Sequence, residues 1–178
     1  MKYLNFKQKL LGAVALLALV STTESFAQGT TQNLNVTAEV PSVCIIDVPT
    51  SAIVLAFDLS GLATAGGPFD SSVLIAWRCS VNTPLTVEIS DGTSSNALAR
   101  TMLTGGGDPL AYNLYTDIAR STIWDEGSGA AGTGVVTDSG RGMNVPWTSE
   151  VFGRVTLLAA QSALPGIYSD DVTVTLVF

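Results

Sequence analysis

The sequence predicts an all-β domain, and three observations carry that prediction. Short apolar runs rich in β-branched residues recur along the chain, each bounded by Gly, Pro, Asn, Asp or Ser, which is the pattern of a sandwich or barrel. Apolar and polar residues alternate within several runs. Near the end, Val172, Val174, Leu176 and Phe178 point one way and Thr173, Thr175 and Val177 the other, as expected when one sheet face is buried. Beyond the N-terminal leader, no window carries a convincing amphipathic helix.

Strands are predicted, in order, over 34–40, 43–48, 53–59, 73–79, 85–90, 98–103, 110–116, 151–159 and 172–178. Their connections are turn-like. Gly105, Gly106, Gly107 and Asp108 lead into Pro109 and another strand rather than into a helix N-terminus, so they read as a flexible turn and not as a phosphate cradle. The stretch 127–142, rich in Gly, Ser, Thr and Ala, reads as a long loop.

The leader has its own logic. Lys2, Lys7 and Lys9 precede an apolar run over 10–20, followed by a polar stretch that ends in Ser25, Phe26 and Ala27. A run of 11 residues falls short of the roughly 20 that a membrane-spanning helix needs. With small residues at the cleavage positions, 1–27 is predicted to be a secretory signal peptide cut after Ala27. The 151 residues that follow suit one domain with a real core.

Removing the leader's three lysines and one glutamate leaves five basic residues, all Arg, against 14 acidic ones, a net charge of −9. The arginines are scattered among acidic neighbours, so no basic patch exists to neutralise phosphates, and nucleic acid is not an expected partner. Cys44 and Cys79 are the only cysteines, and in an exported chain they are most simply one disulfide, with two buried thiols as the other reading. Closing a loop of that length removes about 4 kcal/mol of unfolded-state entropy on the chain-entropy account.

Catalytic constellations are missing. The chain has no His, which removes Ser-His-Asp and Cys-His arrangements and the commonest general base and metal ligand. The mature part has no Lys either, so Schiff-base chemistry is absent. Acid pairs exist at Asp125-Glu126 and Asp170-Asp171, but both border turns and read as solvated loop charges rather than as an opposed catalytic pair or a calcium loop. The expectation is a protein that is not an enzyme and needs no cofactor.

The segment after the cleavage site is informative. Leu34, Val36, Ala38 and Val40 alternate with Asn35, Thr37 and Glu39 ahead of Pro41. Two readings stand: the first strand of the domain's own sandwich, or a strand made for insertion into a neighbour.

Several pieces together resemble the spore coat protein U-type subunits of archaic (Csu-type) chaperone-usher pili, similar to the biofilm pili of Acinetobacter. The alternating leader ends four residues before Cys44. Leu110-Ala111-Tyr112-Asn113-Leu114-Tyr115-Thr116-Asp117 matches the family's aromatic and acidic strand, and Trp124, Asp125, Glu126 and Gly127 follow it. Pro165-Gly166-Ile167-Tyr168-Ser169-Asp170, then an alternating strand to Phe178, is the most specific piece.

The resemblance implies an incomplete immunoglobulin-like β-sandwich lacking its last strand, over 42–178, preceded by an N-terminal donor-strand segment over 28–41. It implies Leu34, Val36, Ala38 and Val40 as donor side chains, and Val172, Val174, Leu176 and Phe178 as the edge of an acceptor groove. Its implied partners are a periplasmic chaperone, an outer-membrane usher and identical or related pilus subunits, with the assembled fibre on the cell surface serving adhesion and biofilm formation. A secreted spore-coat or matrix protein of the same fold is the alternative. Ala38 is small for a donor position, so its pocket should be shallow.

Overall fold

The computed structural model describes residues 29–47 and 53–178, so the predicted signal peptide lies outside the described residues. Residues 39–178 form one compact unit, while 29–38 belong to another and are taken separately. The larger unit is a two-layer sandwich.

One layer is a six-stranded sheet with β1 (Cys44–Asp47), β2 (Phe69–Cys79), β10 (Trp147–Val155), β6 (Asn113–Tyr115), β7 (Ile123–Trp124) and β8 (Thr133–Gly134) in that spatial order. Only the short β7–β8 pair in it is parallel. The other layer is antiparallel and three-stranded, in the order β11 (Val174–Val177), β3 (Pro84–Ile89) and β9 (Val136–Ser139). A separate ribbon pairs β4 (Thr101–Leu103) with β5 (Pro109–Ala111).

Period-two alternation builds the core. On β2, Ile75, Trp77 and Cys79 face inward while Leu74, Ala76 and Arg78 face out, and Leu85, Val87 and Ile89 of β3 meet them from the opposite layer. Trp124 is wholly buried, and its indole Nε1 donates to the Val87 carbonyl at 2.9 Å, so one of the two core tryptophans also ties the two layers together. The cysteines form a disulfide. Cys44 and Cys79 stand directly opposite one another in the antiparallel β1–β2 register, with Cα atoms 4.1 Å apart.

Three strand expectations and one loop expectation are corrected. Predicted strand 98–103 opens instead as a 3-10 turn over Ala97–Ala99, because the Asn96 side chain accepts the Leu98 amide and caps it. Segment 110–116 breaks at Tyr112, where the chain leaves the β4 ribbon and joins the large sheet against β10. Strand 151–159 stops at Val155, and helix α1 (Leu157–Ser162) follows, since the Thr156 hydroxyl accepts the Ala159 amide and the sequence Leu-Leu-Ala-Ala favours helix. The 127–142 loop contains β8 and β9, strands too short to show a period among their glycines.

Candidate functional site: an open edge and an exposed leader

β11 has a ladder partner on one side only. Its register with β3 runs from Val174 opposite Ile89 to Val177 opposite Thr86, and among the described residues nothing pairs with its other edge. Val172, Val174 and Leu176 pack against the core but stay half-exposed. Phe178 lies beyond the strand and is exposed, so the sequence-predicted edge residues are brought together as far as Leu176.

Segment 53–59 shows a second vacancy in the hydrogen-bonding pattern. Ile53, Leu55, Phe57 and Leu59 alternate as half-buried residues packed on the core, the signature of a strand, yet the segment has no ladder partner among the described residues. Its side chains cross the core to the inner face of β10 at Gly153, where an added Cβ would meet Phe57 Cζ at 2.7 Å and Leu55 Cδ2 at 2.8 Å. Phe57 also meets Tyr112 edge-on, with ring centroids 6.3 Å apart. Thus two extended segments, β11 and 53–59, line one core while leaving backbone groups unpaired among the described residues, a free edge able to template another strand. The alternation of 53–59 was readable in sequence; its lack of a ladder partner was not, because hydrogen-bonding partners leave no periodic signal.

Polar groups hold the end of the sandwich where β11 begins. Tyr112 donates its hydroxyl to Asp170 Oδ2 at 2.6 Å, and Asp170 Oδ1 accepts the Thr93 amide at 3.0 Å. Burial, together with the carboxylate beside it, drives the Tyr112 phenol well above its ordinary range. Arg100, fully buried, donates from Nε and Nη2 to the Ser90 carbonyl at 3.1 and 2.8 Å and from Nη2 to the Ile89 carbonyl at 3.2 Å. Tyr168 donates to the Leu164 carbonyl at 2.6 Å, closing the turn that leads into β11.

The reading of the acid pairs as solvated charges is therefore corrected for one member of each. Asp125 is buried and accepts the amides of Gly127 and Ser128 at 3.0 and 3.2 Å and the Ser128 hydroxyl. Burial raises its carboxyl, but those hydrogen bonds outweigh it and the net displacement is downward. Asp170 is the partly buried acceptor just described. Neither aspartate faces a cleft partner, and each serves as a local staple.

In the leader, Leu34, Val36 and Val40 are 86, 80 and 86% exposed, and Ala38 is exposed as well. Residues 29–43 carry no strand or helix, so the predicted strand 34–40 is an unpaired segment here.

Fold and edge together define an all-β sandwich in which β11 is an edge strand. The family model of the Spore Coat Protein U domain matches residues 30–175, and the chain belongs to that family. No curated protein matches it. Among solved structures, the chain is similar to one in the crystal structure of the CsuC-CsuE chaperone-tip adhesion subunit pre-assembly complex from archaic chaperone-usher Csu pili of Acinetobacter baumannii. Identity is 20% and the TM-score 0.51, with 78% of this chain and 40% of that chain covered. This places the sandwich among folds of that kind. A chain from a chaperone-tip adhesin complex of CFA/I fimbriae biogenesis matches at 12% identity and a TM-score of 0.43, covering 75% of this chain and 41% of that one. The chain thus spans about two fifths of the length of each.

Proposed function

We propose that this protein is a structural subunit of a surface pilus assembled by the chaperone-usher pathway through donor-strand complementation. The observation that carries the reading is the pair of extended segments lining one core, β11 with one free edge and 53–59 with no ladder partner among the described residues. A strand supplied by another chain satisfies the backbone groups of both and covers the half-exposed Val172, Val174 and Leu176.

The leader supplies that strand. Leu34, Val36, Ala38 and Val40 project alternately from residues 28–41 and enter the next subunit, each Leu or Val contributing about 1.5–3 kcal/mol on full burial and each new backbone hydrogen bond about 0.5–1.5 kcal/mol before ordering costs. A periplasmic chaperone fills the groove first, an outer-membrane usher mediates the exchange, and an identical or related subunit replaces the chaperone. Family membership and a fold shared with a chaperone-bound pilus complex support this route. The role is non-catalytic, serving adhesion and biofilm formation at the cell surface.

The test is purification from the periplasm. A stable one-to-one complex with a chaperone, and loss of surface fibres on deletion of the gene, are expected. A free monomer in the periplasm together with unchanged fibres contradicts the reading.

A further inference from the structure

Arg100 is fully buried, yet its hydrogen bonds all go to backbone carbonyls just where β3 ends, and its Nη1 has no partner among the described residues. Burial disfavours its charge, while Tyr112, Asp91, Asp125 and Asp170 nearby favour it. The carbonyl it holds most firmly is the informative one. Ser90 follows the last residue of β3, and its amide donates to the Thr173 carbonyl at 2.9 Å, next to the pairing of Val174 with Ile89. In a regular antiparallel pair the Thr173 amide returns that bond to the Ser90 carbonyl. Here it donates to the Ser90 hydroxyl oxygen at 2.9 Å instead, because Arg100 Nη2 and Nε occupy the carbonyl at 2.8 and 3.1 Å.

We propose that Arg100 is a positioning residue: by taking the Ser90 carbonyl it ends the β3–β11 ladder, and so fixes the register at which a donor strand seats on the free edge of β11. The proposal rests on the donor-strand reading above and deepens it.

Alternation alone leaves the register ambiguous. A one-residue slip turns Leu34, Val36, Ala38 and Val40 outward and is rejected, but a two-residue slip keeps the same face inward. Rejecting that slip needs a defined end to the edge. Since the Thr173 carbonyl accepts from β3, the backbone groups of Thr173 and Thr175 aim at β3, and those of Val174 and Leu176 aim at the free edge. Were the Thr173 amide to take the Ser90 carbonyl, the ladder would lengthen and Val172 would join the free edge, making room for the slipped register. With Arg100 on that carbonyl the edge stops at Val174, and the chain before it follows the path set by Asp170 through Tyr112 and Thr93. Arginine suits the task, because its rigid fork of donors brings two N–H groups to one carbonyl.

The experiment uses fibres of the full chain carrying Thr37→Cys together with, in turn, Asp171→Cys, Thr173→Cys, Thr175→Cys or Val177→Cys, all at exposed positions, oxidised and run without reductant. With Arg100 in place, one pair involving 173, 175 or 177 is expected to dominate the covalent multimers. Arg100→Met is expected to add the pair displaced by two residues towards 171, at a yield within about threefold of the first. A single pair that stays unchanged in Arg100→Met fibres overturns the proposal even where stability falls, since a merely structural role weakens the subunit without moving the register. Should Arg100→Met subunits fail to reach the fibre, Arg100→Lys, which keeps the charge but not the fork, carries the same expectation. Fibres retaining Arg100 also decide the matter by themselves: equal yields at positions two residues apart, or a dominant pair at 171, overturn the proposal. Fibres that give no multimer with any pair overturn the donor-strand reading, and the proposal with it.

Discussion

At the scale of residues, the family-like motifs act as fasteners for the end of the sandwich where β11 begins. Tyr112, Asp170 and Tyr168 belong to the segments that carried the family resemblance, and each makes a hydrogen bond that fixes the approach to β11. Replacing Tyr112 with Phe leaves Asp170 without its 2.6 Å donor. A loss of about 1.5–3 kcal/mol is expected, since one partner is charged, measured as a shift in urea midpoint of the subunit with its groove filled. Asp125 gives a pH signature. Its folded carboxyl lies below the ordinary value of 3.8, so its stabilisation is complete above that value and is lost as pH falls through the depressed one. Asp125→Asn should therefore lower stability at neutral pH and flatten its fall below about pH 4, checked by unfolding curves between neutral and strongly acidic pH.

At the scale of elements, segment 53–59 depends heavily on packing against its neighbours, because it has no ladder partner among the described residues. Gly153 on β10 leaves the space it occupies. Gly153→Val should push Leu55 and Phe57 outward at about 1–3 kcal/mol, seen as faster amide exchange across 53–59 with β2 and β3 little changed. Sequence alternation made β2, β3, β10 and β11 legible, as each buries one face over several residues. Where the chain changes sheet within a few residues, as at Tyr112, or where a Thr cap turns a strand into a helix at Thr156, no period is long enough to read. The site was half legible. The leader, segment 53–59 and the last strand showed as alternating segments, while the missing ladder partner of 53–59 and the burial of Asp125 and Arg100 depended on spatial neighbours that sequence does not name.

At the scale of the whole molecule, the sandwich is a two-layer core with a free edge at β11, and the proposed function has the exposed leader of another copy fill it. An isolated subunit should accordingly be poorly stable or oligomeric, and light scattering of chaperone-free protein checks this. Polymerisation itself is the more direct test, because it separates the leader's role from the domain's own folding. Alternate residues of an inserted strand enter pockets, so Val36→Asp places a carboxylate where it is desolvated without a partner, costing several kcal/mol. Thr37→Asp, one residue away, keeps its charge on the opposite face. The decisive measurement is fibre assembly from chaperone-bound subunits carrying each substitution. The account predicts that Val36→Asp abolishes polymer while its chaperone complex accumulates normally, with Thr37→Asp close to wild type; equal and small effects of the two, or loss of the chaperone complex with Val36→Asp, would contradict it.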